Sequence, residues 1–235
     1  MFENCFFWSY NVNNYSHNHF KDVIFMNKII TISREFGSGG RTIGKLVAEQ
    51  LGVSYYDKEL VKQVALETGF DERYIEQQGE YAPSRSPFGF AFAARGGGGG
   101  ASGMSIGDFL WIAQAKVIQE LSEKAPCVIV GRCADYILKE RRDVLRCYIH
   151  ADMDFRAERI VRLYGESEEK PHKRLEDKDK KRRVYCKHYT GSDWGDAQNY
   201  HVTLDSGRIG IDKCVQIITD LARFAPPSDL QGKKA

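Results

Sequence analysis

Five short apolar runs recur along the chain: Ile29–Ile32, Val53–Tyr56, Cys127–Val130, Leu145–Ile149 and Val202–Leu204. Between them apolar residues return every three or four positions, the spacing of one helical face. Ile43, Leu46, Val47 and Leu51 form one such stripe, and Gly52 stops it. A second runs through Ile106, Phe109, Leu110, Ala113, Val117 and Leu121, with Ser105 and Asp108 as a cap pair at its start. A third holds Met153, Ala157, Ile160, Val161 and Tyr164, and a fourth, after Ser206, holds Ile211, Cys214, Val215, Ile218 and Ala222. Further helices fall around Lys58–Gln78. Near-continuous apolar strands alternating with amphipathic helices predict an α/β fold, a parallel sheet covered on both faces. The stripes read as core. Ligands in such sheets bind outside the carboxyl ends of the strands. That draws attention to Gly37–Thr42, Asp57, Gly131-Arg132, His150 and Asp205. Of these, His150 reads as a cap for the next helix.

Two segments interrupt the alternation and one precedes it. Tyr81–Gly103 contains Pro83, Pro87, Gly89 and the run Gly96–Gly100. Ordering each glycine costs about 0.5–1 kcal/mol more than ordering alanine. Residues 79–104 therefore read as a flexible loop. Residues 1–25 crowd Phe2, Phe6, Phe7, Trp8 and Tyr10 ahead of an asparagine-rich stretch, with neither the basic start nor the long apolar core of a signal peptide. They read as an appendage outside the fold, residues 26–224 as one domain, and 225–235 as a polar tail.

The second interruption is Lys170–Lys187, where nine Lys/Arg face three acids. That local surplus of six positive charges sits in a chain of formal net charge +2, so the remainder is acidic. A solvated helix face is the plain reading, and a lid over an anion the functional one. A nucleic-acid groove binder would spread its positive charge over a wider footprint, so no nucleic-acid partner is expected. No apolar run approaches the ~18 residues of a membrane span, so no membrane partner is expected either. Oligomeric state is not legible. The six cysteines are scattered without a C-x-x-C pair. They read as reduced thiols of a cytoplasmic protein, with Cys127, Cys147 and Cys214 inside apolar patterns.

The chemistry concentrates after the first run, in Gly37-Ser38-Gly39-Gly40-Arg41-Thr42. Strand, glycine-rich turn and helix is how α/β proteins cradle a phosphate, with backbone N–H groups and the helix's positive end turned to the anion. Arg41 stands where a phosphate-binding lysine is usual, Thr42 where a magnesium-binding hydroxyl is wanted, and Glu35 where the first glycine of G-x-x-x-x-G-K-[ST] belongs. A glycine-rich turn with no ligand is the plain alternative.

Four further stretches join this one: Tyr55-Tyr56-Asp57-Lys58-Glu59-Leu60, Val128-Ile129-Val130-Gly131-Arg132-Cys133-Ala134-Asp135, Asp179-x-x-Arg182-x-x-Tyr185 and Tyr189-Thr190-Gly191-Ser192-Asp193-Trp194-Gly195-Asp196. In this order and spacing the chain from Met26 to Ala222 resembles the P-loop nucleoside monophosphate kinases, most closely the cytidylate kinase-like branch. The resemblance implies a five-stranded parallel sheet with helices on both faces, a monophosphate-binding insertion and a basic lid over 165–196. It implies ATP and Mg2+ as cofactors, and a nucleoside monophosphate, CMP or dCMP first, as acceptor. Gly37, Ser38, Gly39, Gly40, Arg41 and Thr42 would hold ATP, Thr42 the metal, and Asp57, Arg132, Asp179 and Arg182 the acceptor. Arg41, Arg132 and Arg182 would offset charge during transfer. Where cytidylate kinases carry aspartates on either side of the Gly-Arg pair, this chain has Val130 and Cys133. Where an arginine is expected six residues past Asp57, Gln63 stands. A nucleotide-binding protein without turnover is the competing reading. Asp57 reads equally as a helix cap, and Asp179 with Arg182 as an exposed ion pair.

Overall fold

The computed structural model describes residues 28–78 and 105–224. Residues 1–25, 79–104 and 225–235, read above as an appendage, a loop and a tail, lie outside the described residues. Five parallel strands form one sheet in the order β2-β3-β1-β4-β5. They are β1 (Ile29–Arg34), β2 (Ser54–Tyr56), β3 (Cys127–Val130), β4 (Val144–His150) and β5 (Val202–Asp205). All six residues of the central β1 are buried, as a strand covered on both faces requires. β1 and β4 outrun their apolar stretches, because backbone pairing carries on through Ser33↔Tyr148 and Arg34↔Ile149.

Alternation along β1 feeds two cores. Ile30 and Ile32 pack with Ile43 and Val47 of α1 (Gly40–Leu51) and with Cys214 and Ile218 of α9 (Ile211–Arg223). Ile29 faces the other way, onto α2 (Lys58–Thr68), α3 (Glu72–Gln78) and α4 (Ile106–Lys124). Each such isoleucine contributes about 1.5–3 kcal/mol by leaving water. Ser105 caps α4 as expected, accepting from the Asp108 amide at 3.1 Å. The helical stretch after Ser206 is broken at Gly210 into α8 (Ser206–Ile209) and α9, and α9 holds the whole of the last apolar stripe.

The remaining helices gather at the carboxyl edge. α5 (Ala134–Ile137) follows β3, α6 (Met153–Tyr164) follows β4, and α7 (Pro171–Thr190) is the basic helix. Ala157, Ile160 and Leu175 join α6 to α7 in a small core that also touches Phe36. His150 does not cap α6; the Asp152 carboxylate does, accepting from Phe155 N at 2.8 Å, because Asp152 is the residue placed one position before the first turn. Nor is the third stripe wholly core. Tyr164 is exposed, stacked on Phe36, while Arg156 and Arg159 of the same helix are buried. Cys127, Cys147 and Cys214 are buried, as their apolar settings suggested. No described helix is long and apolar enough to cross a membrane.

Candidate active site

β1 and β3 are neighbours, and each ends in a glycine turn at the same sheet edge. The first turn, Glu35–Gly39, leads into α1 with Gly37 and Gly39 at positive φ. At Gly39 a Cβ would overlap Ile211 and crowd the Arg159 guanidinium, so backbone has to stand bare there. No acid sits in the first turn of α1, which leaves its positive end to an anion. Its first amides have no intrahelical acceptor.

This turn is stitched down. Ser38 is fully buried; its hydroxyl donates to the carbonyls of Glu35 (2.9 Å) and Ile149 (3.1 Å), and its own carbonyl accepts from the Ser206 hydroxyl at 2.6 Å. Its side chain is thus part of the scaffold and does not face a ligand. Glu35 accepts from the Ala151 amide (3.1 Å) and lies 3.4 Å from Arg156 Nε. Burial pushes its carboxyl above the usual range, outweighing the pull of Arg156.

Asp179 of α7 reaches over to this turn. Its Oδ1 accepts from the Phe36 amide at 2.7 Å and its Oδ2 from Arg156 Nη1 at 2.6 Å. Arg182 Nη1 lies 3.6 Å from Oδ1 and donates to the Arg34 carbonyl at 3.3 Å. The pair of Asp179 and Arg182 is therefore buried, at 6% and 10% side-chain exposure, and the exposed-ion-pair alternative is overturned. A carboxylate taken from water is held only by good partners, and here it has an amide and a guanidinium.

Two residues stand elsewhere than the motif suggests. Arg41 Nε pairs with Asp57 Oδ2 at 2.9 Å, on the β2 side. Asp57 occupies the cap position of α2 but its side chain makes no cap bond, which overturns the cap alternative. The Thr42 hydroxyl accepts from Arg159 Nη2 at 2.8 Å. Arg159 was not singled out in the sequence, since it lies beside an apolar stripe and belongs to no motif. Burial first, and Arg162 second, draw its pKa below the usual guanidinium value.

The second turn, Gly131-Arg132-Cys133, is strained. All three residues have positive φ, at 77°, 58° and 52°. For the two non-glycines that costs of order 1–3 kcal/mol each and persists only where the surroundings enforce it. Positive φ favours glycine at Gly131, and a Cβ there would displace the Arg34 guanidinium. Gln114 of α4 holds the turn: its Oε1 accepts from Arg132 Nη1, and its Nε2 donates to the Arg132 carbonyl, both at 3.3 Å. Arg34, Arg132 and Arg182 then line one cavity together with Cys133, Asp135 and Cys186. Its free volume is about 20 Å³, near that of one water-sized group. Asp135 accepts from the Ser33 hydroxyl (3.2 Å), and burial drives its carboxyl up. Trp194 packs edge-on against Tyr148 at 5.5 Å, a structural contact as its turn suggested.

Among the described residues no group of three or more His, Cys, Asp or Glu could hold a metal ion. Thr42 and the first turn suit a metal that arrives with its own phosphate and water oxygens, and no protein cage stands ready for one.

Sheet order, glycine turn and arginine-lined edge define the class: a phosphotransferase fold of the nucleotide kinase kind. The chain belongs to the cytidylate kinase-like family, whose model matches residues 29–208. It is 22% identical over 199 residues to a cytidylate kinase of Methanopyrus kandleri, covering 81% of this chain and 90% of that protein. Among solved structures, an uncharacterized protein from Eubacterium ventriosum ATCC 27560 superposes with a TM-score of 0.63 at 27% identity, over 84% of this chain and 99% of that one. Shikimate kinase from Acinetobacter baumannii, in complex with shikimate, superposes at 0.47 with 18% identity, over 82% and 91% of the two chains.

Proposed function

We propose that this protein transfers the γ-phosphoryl group of ATP to a nucleoside monophosphate, with CMP and dCMP the first acceptors to test. The observation that carries the reading is the convergence of Arg34, Arg132 and Arg182 on one cavity beside the glycine turn. Phosphoryl transfer asks a protein for positioning and for positive charge at the migrating group. Two anions must be brought together, and unit charges 4 Å apart repel by about 4 kcal/mol at an effective dielectric of 20. Arginine forks at phosphate oxygens offset that repulsion.

In this reading Gly37, Gly39 and Gly40 leave backbone bare for the ATP phosphates, and Arg41 and Arg159 supply cations. Magnesium, arriving with ATP, would neutralise phosphate charge and take the Thr42 hydroxyl as its protein ligand once Arg159 turns to phosphate. Arg132 and Arg182 hold the acceptor phosphate, and Asp57 lies on the acceptor side. Asp179 acts by fixing α7 to the glycine turn. α7 is the lid of this reading, covering the site so that water is kept from the transferring phosphoryl group.

A second reading, nucleotide binding without turnover, draws on Val130 and Cys133 at the two aspartate positions and on the Arg159–Thr42 bond. One experiment separates them. The protein is incubated with ATP, Mg2+ and a panel of nucleoside monophosphates, and ADP and diphosphate are followed. Turnover of CMP or dCMP supports transfer to a pyrimidine acceptor. ATP binding without turnover supports the second reading, and absence of ATP binding rejects both.

A further inference from the structure

Two of the cysteines stand apart from the rest. Cys133 sits in the strained turn, partly exposed, and Cys186 lies on the inward face of α7, four residues past Arg182. They come from segments far apart in the chain, yet both line the arginine cavity. The Cys186 thiol is hydrogen-bonded with that of Cys133, lies 3.4 Å from Thr190 Oγ1 and donates toward the Ser192 carbonyl at 3.8 Å. We propose that Cys133 and Cys186 are a peroxide-reactive dithiol that closes to a disulfide, covalently joining the arginine-bearing turn to the basic helix.

The surroundings favour this pair over the other described cysteines. A thiolate is the nucleophile, and it forms where cations and a hydrogen-bond donor receive the charge. Arg34, Arg132 and Arg182 line the cavity, while Asp135 opposes them. The bond from Cys133 draws the Cys186 thiol below its ordinary value, burial notwithstanding. Burial instead pushes Cys127 up to about 12 and Cys214 to about 11, and no surface of Cys127, Cys147 or Cys214 meets solvent.

The chemistry balances with hydrogen peroxide as oxidant. The thiolate of Cys186, which accepts from the Cys133 thiol, attacks one peroxide oxygen; the O–O bond breaks and hydroxide leaves, giving a sulfenic acid. The Cys133 sulfur attacks that sulfur, the S–S bond forms, and a second hydroxide leaves. Both hydroxides take up the two thiol protons as water. The two sulfurs together lose two electrons, which the peroxide gains. A small dithiol reverses the bond by exchange. The contact has to shorten to about 2.05 Å between sulfurs, a shift that a turn and a helix sharing one small cavity can make. The link pins α7 shut. Its consequence for nucleotide entry rests on the proposed function; the cross-link itself does not.

The test is chemical and is read without any nucleotide. The full chain is treated with a slight excess of hydrogen peroxide, remaining thiols are alkylated in denaturant, and unreduced peptides are mapped by mass spectrometry. A Cys133–Cys186 cross-linked peptide as the first product, lost on dithiothreitol treatment, is the expected result. In Cys133→Ser the cross-link should vanish and a dimedone adduct should appear on Cys186. Thermal midpoints before peroxide show whether the variant folds, and Cys186→Ser serves as the reciprocal variant if it does not. Both thiols alkylated after peroxide, or either one joined to another cysteine, would overturn the proposal. In a separate arm, an intact cross-link that leaves ATP binding unimpeded would count against the lid role of α7 and leave the dithiol standing.

Discussion

The two glycine turns at the sheet's carboxyl edge follow adjacent strands, yet they are held by opposite means. The turn after β1 is charge-balanced: Glu35 and Asp179 face Arg156 and Arg182, and amides of Phe36 and Ala151 fill the remaining acceptor sites. The turn after β3 is cationic and strained, with two non-glycine residues at positive φ and Gln114 bracing Arg132. The first turn is a fixed cradle whose ligand groups are backbone. The second is a poised side chain whose conformational cost is met by its surroundings. Breaking the first should unfold or loosen the edge; breaking the second should leave the fold and remove a function.

The largest effect is expected at Asp179. Asp179→Ala leaves Arg156 buried without its best partner and the Phe36 amide without an acceptor, which should cost about 3–5 kcal/mol in denaturant unfolding. A loss within experimental error would mean that the clamp is not what orders the first turn. Next comes Arg132→Ala. In assays with a nucleoside monophosphate its kcat/KM should fall roughly 10²–10³-fold, the scale for removing one donor to developing charge, while the thermal midpoint stays within a few degrees. A comparable loss of stability would make Arg132 a structural brace.

These two residues also mark what was legible beforehand. The strands were readable because parallel strands buried on both faces are apolar throughout, and all five runs seen in the chain are strands of the sheet. Gly39 and Arg132 were readable because position after a buried strand is a local property. Arg159 and Arg34 were not singled out. Arg159 meets Thr42 across 117 residues, and Arg34 lies over Gly131 from the neighbouring strand; neither contact leaves a trace in local spacing. Asp179 was marked for the acceptor, but its carboxylate is taken up by Phe36 and Arg156, a partner choice that only the approach of α6 to α7 decides.

A smaller effect is expected at Arg159. Replacing it with methionine keeps the apolar stem and removes the cation from Thr42, so the dissociation constant for ATP should rise about tenfold, or about 1.4 kcal/mol. Titration calorimetry reads it, and an unchanged constant would remove Arg159 from the phosphate site. The smallest effect belongs to Glu35. Its folded carboxyl pKa is raised above the ordinary value of 4.5, so the folded state holds its proton more tightly than the unfolded chain. The penalty is fully present above the folded pKa and is relieved as pH falls through it toward 4.5. The stability of the native protein relative to Glu35→Gln should therefore rise on acidification through that window, by less than about 1 kcal/mol given that the site is partly solvated. A difference curve flat or falling across those pH values contradicts a raised carboxyl.

The contrast between the turns comes down to separate ligands for separate edges. Calorimetric titration of ATP and of CMP, each alone, into the native protein and into Arg132→Ala tests that division most directly. The expected result is ATP affinity unchanged by the substitution and CMP affinity reduced at least tenfold. Equal losses for both ligands, or CMP bound as tightly without Arg132 as with it, would contradict a cavity built for the acceptor phosphate.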